Sequence, residues 1–131
     1  MIKILIVDDH SDIRRLLSIT FGKAYEVLEA EDSLTALEVI RRQHPEVVLL
    51  DIMMSGEPGG LQVLDAIRSD PALKDTLVAM ITARGQSADC EIGLKRGADA
   101  YFIKPFSPLQ VFSWVREQLK SGFLSHYSLE P

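Results

Sequence analysis

The chain is poor in the features that mark several large protein classes. It has a single cysteine, Cys90. That excludes a disulfide framework and any multi-cysteine metal site. No apolar run approaches the ~20 residues a membrane-spanning helix needs. The apolar start, Met1 to Val7, runs straight into Asp8-Asp9 and has no small-residue cleavage site, so it does not read as a signal peptide. A cytoplasmic protein with no membrane contact is expected. Basic charge is also scarce: 14 Lys and Arg stand against 19 Asp and Glu, for a net charge of −5. That argues against direct nucleic-acid binding, which leaves a basic patch. The pairs Arg14-Arg15, Arg41-Arg42 and Lys95-Arg96 read as solvated helix faces. There is no internal repeat and no low-complexity tract. With 131 residues, 47% of them hydrophobic and 25% charged, a single domain with a real core is expected.

What is present is an alternation of short apolar runs and amphipathic stretches. Val47-Val48-Leu49-Leu50 is an unbroken apolar run, preceded by Pro45 and ending at Asp51. Such a run reads as a central strand buried on both faces. Ile4–Val7, Tyr25–Ala30, Leu77–Ile81 and Ala100–Ile103 read as four further strands, the second near a sheet edge.

Helical spacing places Ile13, Leu16, Leu17, Thr20 and Phe21 on the core face of a first helix, with Ser11 as its N-cap and Gly22 as its stop. Asp32 or Ser33 caps a second helix carrying Ala36, Leu37 and Ile40. A third starts near Gly60, with Leu61, Leu64 and Ile67, and breaks at Asp70-Pro71. The fourth spans Ser87–Arg96 and ends at Gly97. The fifth follows Ser107-Pro108, an N-cap with proline at the first helical position. Leu109, Phe112, Val115 or Arg116, and Leu119 form its inner side. Residues 1–121 make the domain, and 122–131 read as a short C-terminal tail. Its end, Leu129-Glu130-Pro131, carries no part of the reading. Five βα units in series specify an α/β fold with a parallel sheet, right-handed crossovers and helices on both faces.

In such a sheet the strands' carboxyl ends share one edge, where ligands bind. Those ends carry Asp8-Asp9, Asp51, Thr82 and Lys104. Each has an ordinary alternative: a loop aspartate, a helix-capping threonine, a surface lysine. Together they place three carboxylates, a hydroxyl and an ammonium in one small volume. Unpaired carboxylates raise one another's pKa. A hard divalent cation relieves this, and Mg²⁺ is typically held by one or two carboxylates plus a phosphate. Zinc does not suit a set without a histidine pair. His10, beside the acidic pair, reads as a surface residue. With Mg²⁺ bound, a carboxylate can accept a phosphoryl group while lysine and hydroxyl groups hold its oxygens. Asp51, alone on the central strand, is the best nucleophile, and the adjacent Asp8 and Asp9 suit the metal.

This constellation resembles the receiver domain of two-component response regulators. The matching residues are Asp8-Asp9, Asp51, Thr82-Ala83, Lys104-Pro105-Phe106 and Gly97-Ala98-Asp99-Ala100-Tyr101, within a likeness covering about Lys3 to Leu119. The resemblance implies a flavodoxin-like (βα)5 sheet of order 2-1-3-4-5. It implies that Asp51 accepts a phosphoryl group from a sensor histidine kinase or histidine phosphotransfer protein, with Lys104 and Thr82 assisting. Asp8, Asp9, Asp51 and the Met53 backbone carbonyl would bind Mg²⁺. The Lys104–Pro105 bond would be cis, and Thr82 and Tyr101 would form the switch pair. The readout surface, and a possible homodimer contact, would be helix 4, strand 5 and helix 5. Trp114 reads as core or rim packing beside it. The downstream partner or fused output domain stays open.

Three other readings compete. A phosphatase of the haloacid-dehalogenase kind needs Asp-x-Asp after the first strand, where this chain has Asp8-Asp9-His10. A flavodoxin-like cofactor binder would meet a repulsive acidic loop. A receiver-like binding module that is never phosphorylated would not need the intact set of five. The chain departs from the receiver pattern after Met54, where Ser55 replaces proline. The run to Leu61 is also one residue longer than usual. Three glycines and a proline make that loop permissive. Met53 and Arg84 flank the approach of an attacking water and are expected to set the rate of dephosphorylation.

Overall fold

The structure is a computed structural model and describes residues 1–54, 56, 58–83 and 87–128, with backbone alone for 87 and 121–128. The chain runs β1 (Lys3–Val7), α1 (Ser11–Phe21), β2 (Glu26–Ala30), α2 (Ser33–Gln43), β3 (Val47–Asp51), α3 (Gly60–Ser69), a 3-10 turn at Pro71–Leu73, β4 (Leu77–Ala83), α4 (Ser87–Lys95), β5 (Ala100–Lys104) and α5 (Pro108–Ser128). The five strands form one parallel sheet in the order 2-1-3-4-5, the flavodoxin-like doubly wound arrangement.

Alternation along the strands decides which layer each side chain joins, because successive residues point to opposite faces. Leu5, Val7, Val48, Leu50, Val78 and Met80 meet α2 and α3 through Ala36, Ile40, Val63, Leu64 and Ile67. Ile4, Ile6, Val47, Leu49, Ala79 and Ile81 meet α1 and α5 through Leu17, Phe21, Val111 and Val115. Every residue of β3 is buried, as expected of a strand covered on both faces. Each fully buried aliphatic side chain there contributes about 1.5–3 kcal/mol.

Local signals set the helix ends. Asp32 caps α2 by accepting from the Thr35 N–H at 2.7 Å, and Ser107 caps α5 by accepting from the Gln110 N–H at 3.2 Å. The N-cap of α1 is His10 rather than Ser11, which is the first helical residue. On the other face of the periodicity, Leu16 is 43% and Leu109 is 71% exposed. On α5, Val111 and Val115 are buried and Phe112 and Leu119 pack against the same cluster, so the expected inner side holds at Phe112, Val115 and Leu119 and fails at Leu109. Trp114 packs edge-on against Phe102, with ring centroids 6.0 Å apart. α5 continues through Gly122 to Ser128, so the backbone does not break where the sequence reads a tail. Residues 129–131 lie outside the described set. No helix among the described residues is long and apolar enough to cross a membrane.

Behind α3, Arg68 fastens the connection between α4 and β5. Its guanidinium donates to the carbonyls of Gly97 and Thr76, each at 2.8 Å, and to the Asp99 carboxylate at 3.0 Å. Gly97 has φ +108° and lies against the Arg68 stem. A side chain there would be strained and would collide with that stem.

Candidate functional site at the carboxyl edge

Sheet register brings the acidic residues together. Val7 is opposite Leu50, and Asp51 is opposite Ile81. Asp8, immediately after β1, therefore lies beside Asp51, the last residue of β3. Thr82 is one residue further along β4, and Lys104 ends β5 opposite Ala83. Four strand ends thus present their side chains at one edge, as a parallel sheet requires.

The site is largely closed. Asp8, Asp51 and Thr82 are each 1% exposed. Lys104 Nζ donates to Asp8 Oδ2 at 3.0 Å and to Asp51 Oδ2 at 3.3 Å. The other oxygen of each carboxylate takes a backbone N–H. His10 donates to Asp8 Oδ1 at 2.8 Å, and Met53 donates to Asp51 Oδ1 at 2.9 Å. Asp9 is more open, and its Oδ1 is 3.0 Å from His10 Nδ1. Tyr101 is 43% exposed on β5. Among the described residues, the Thr82 hydroxyl makes a long 3.5 Å contact to the Ala83 carbonyl.

Electrostatics follow from this geometry. Burial pushes the Asp51 carboxyl above its ordinary value, and the neighbouring Asp8 charge adds to the rise; the Met53 N–H and Lys104 oppose it. Burial alone would lower the Lys104 pKa, but its hydrogen bond to Asp8 and the charges of Asp51 and Asp8 hold it above the ordinary lysine value. One ammonium faces three carboxylates, so two negative charges stay uncompensated within the site.

The donor set fits a hard dication. Asp8, Asp9, Asp51 and His10 each offer one ligand atom, and all four lie within 4.8 Å of one another. Three of them are carboxylate oxygens, the ligand type Mg²⁺ takes. The turn after β3 is held close. Gly60 opens α3 directly over the β3 end, and a Cβ on it would be 2.5 Å from Ile52 Cα and 2.9 Å from the Asp51 carbonyl oxygen. Gly60 therefore lets α3 sit against the Asp51–Ile52 backbone. Arg84 lies outside the described residues, as do Ser55 and Glu57 of the loop that departs from the receiver pattern.

Two neighbours escape a motif search. Arg14, which sequence alone assigns to a solvated face, is only 16% exposed. It donates to the Asp8 backbone carbonyl at 2.7 Å and to Glu29 at 3.3 Å. Its place one turn into the helix after Asp8-Asp9 is the signal that could have found it. His10 is the second: its ring stays 67% exposed, yet Nδ1 reaches the carboxylates of both Asp8 and Asp9. The cis peptide bond is present at Lys104–Pro105.

Comparison with known proteins identifies relatives by sequence and by fold. The probable transcriptional regulator ycf27 of Guillardia theta is 40% identical over 129 residues, covering 95% of this chain and 49% of that protein. The DNA-binding response regulator MtrA of Mycobacterium leprae is 34% identical over 119 residues, covering 90% of this chain and 51% of that protein. The chain thus spans about half the length of the curated relatives it matches. Among solved structures, NtrX from Brucella abortus superposes with a TM-score of 0.87 at 30% identity, over 98% of this chain and 29% of NtrX. The chemotaxis response regulator CheY4 of Vibrio cholerae superposes with a TM-score of 0.81 at 30% identity, over 89% of this chain and 98% of CheY4. The family described as the response regulator receiver domain matches residues 4–116, and the chain belongs to that family.

Proposed function

We propose that this domain is a phosphorylatable switch that receives a phosphoryl group on Asp51 from a sensor histidine kinase or histidine phosphotransfer protein in the cytoplasm. The observation that carries the reading is the pair of buried carboxylates, Asp8 and Asp51, bridged by one lysine and left with excess negative charge. An Asp51 oxygen attacks the phosphorus of the donor phosphohistidine, the P–N bond breaks, and the departing imidazole keeps the electron pair and takes up a proton. Lys104, already 3.3 Å from the Asp51 carboxylate, shifts its donors onto a phosphoryl oxygen. The Thr82 hydroxyl donates to another. Mg²⁺ held by Asp8, Asp9, Asp51 and the Met53 carbonyl would neutralise charge on the transferring group. A groove of about 370 Å³ lined by Ile13, Leu16, Pro105 and Phe106 opens beside Lys104 and gives a donor protein an apolar foothold.

Phosphorylation adds about −1.5 to −2 charge and three acceptor oxygens at one point. Thr82 moves toward them, and the exposed Tyr101 ring turns inward, which changes the α4–β5–α5 surface. That surface acts on a downstream partner or a fused output domain and is available for homodimerisation. DNA binding is named for a relative about twice this length; the net charge of −5 argues against direct nucleic-acid contact by these 131 residues.

The test is incubation with Mg²⁺ and a small phosphodonor. Wild type is expected to gain one acid-labile phosphate per chain and Asp51→Asn none; equal labelling of the two, or none in either, refutes the assignment. Met53, 47% exposed beside Asp51, and Arg84 are proposed to tune the lifetime. Substituting either is expected to change phospho-Asp51 decay several-fold, and an unchanged decay rate removes them from that role.

A further inference from the structure

Four of the residues above cluster as possible ligands, and one of them is not an oxygen donor. His10 is the N-cap residue of α1, yet its side chain makes no capping hydrogen bond. The ring turns back over the acidic pair instead. Nδ1 lies 3.1 Å from Asp8 Oδ1 and 3.0 Å from Asp9 Oδ1. The backbone N–H of the same residue donates to Asp8 Oδ1, so main chain and ring are both anchored at the metal-facing carboxylates. A dication bound there would take the place of a proton on Nδ1, shared between that nitrogen and the carboxylate oxygens that already lie within reach of it.

We propose that His10 is a nitrogen ligand of the dication site and biases it toward late first-row divalent ions over Mg²⁺. The proposal rests on the metal site described above and deepens it. The physical ground is ligand type. Mg²⁺ prefers oxygen donors in a near-ideal octahedron and keeps its waters. Imidazole suits later first-row ions, whose affinities climb along the Irving–Williams order. Two carboxylates and an imidazole, delivered by three successive residues, form a mixed set that Co²⁺ and Ni²⁺ exploit and Mg²⁺ does not.

The experiment is calorimetric titration of the unphosphorylated protein with MgCl₂, CoCl₂ and NiCl₂, with visible absorption of the Co²⁺ form as a second readout. Wild type, His10→Gln and Asp9→Asn are compared. His44 and His126 remain in all three proteins, so differences report on the substituted position. His10→Gln is expected to weaken Co²⁺ and Ni²⁺ binding by about tenfold or more while leaving Mg²⁺ affinity nearly unchanged, and to shift the Co²⁺ absorption bands. Equal weakening for all three metals, or an unchanged Co²⁺ to Mg²⁺ ratio, overturns the proposal while the Mg²⁺ site itself stands. Wild-type protein that binds none of the three metals, or Asp9→Asn that binds them all as wild type does, overturns the metal site along with it.

Discussion

Two ionic clusters in this domain each set aspartates against basic side chains and behave in opposite ways. Behind α3, Asp65 accepts from Nε and Nη2 of Arg96, and Arg68 pairs with Asp99. Two acids meet two bases there, and Arg68 also donates to the Gly97 and Thr76 carbonyls. Asp99 Oδ2 also accepts from the Val78 N–H at 2.8 Å. The hydrogen bond from Arg96 holds the Asp65 carboxyl below its ordinary value. At the carboxyl edge, three acids meet one base inside a closed pocket, and burial pushes Asp51 the other way. The first cluster closes its charge account and fastens α3 to the α4–β5 connection. The second leaves charge unmatched where a dication and a phosphoryl group would enter. Imbalance, more than the presence of charge, separates a site from a clamp.

The comparison can be broken most directly with a metal. Mg²⁺ at 100 times its dissociation constant is expected to stabilise the wild-type fold by about 2.7 kcal/mol, read as a shift in Tm, and Asp9→Asn should lose most of that gain. If Mg²⁺ leaves Tm unmoved, the edge is not a cation site. Next in size is Arg68→Ala. Removing its bonds to Gly97, Thr76 and Asp99 is expected to lower unfolding free energy by about 2 kcal/mol in urea titrations, with the Mg²⁺ gain preserved. A variant that loses both would show the two clusters to be one unit.

The smallest effect sharpens the sign. In metal-free buffer, Asp51→Asn is expected to raise Tm by roughly 2–4 °C, the shift that about 1 kcal/mol gives a chain of this size, whereas Asp65→Asn should lower it. The pH dependence follows the same contrast. Asp51 has a folded pKa above its ordinary 3.8, so its charge lowers stability as pH rises from near 3.8 through the raised value. Asp65 has a folded pKa below 3.8, so its contribution is present above that pH and is lost as pH falls through the lowered value. Lys104 keeps its contribution below its ordinary 10.5 and loses it as pH rises through the raised folded pKa. Tm measured from pH 3 to 7 should flatten on the rising side of about pH 3.8 in Asp51→Asn and on the falling side of it in Asp65→Asn. Identical profiles for wild type and both variants would remove the contrast.

Much of this was legible in the chain because parallel strands are short, continuous and apolar. Val47–Leu50 and Ile4–Val7 announce themselves, and the residue ending each run identifies the site. Positions on the helices were less legible. Leu16 and Leu109 satisfy helical spacing as well as Leu17 and Val111 do, and only the packed neighbour decides which turn faces inward. β4 extends to Ala83 and takes in Thr82 because β5 supplies a partner for those residues, which no local signal reports. Arg96 reads in sequence as solvated surface charge and Arg68 carries no local signal; the partners that hold them at Gly97, Asp99 and Asp65 lie 29 to 31 residues away.

Residue order alone determined the five βα units, the layer each strand residue joins, and the acids, hydroxyl and lysine at the strand ends. Those follow from periodicity and from the one edge that a parallel sheet offers. The tertiary structure decided the charge balance. It buried Asp8 and Asp51 beside a single Lys104, turned His10 from its cap onto the acidic pair, and brought Arg14 onto the Asp8 carbonyl. Such quantities depend on distance and dielectric across strands far apart in sequence, and they exist only once the sheet has closed around them.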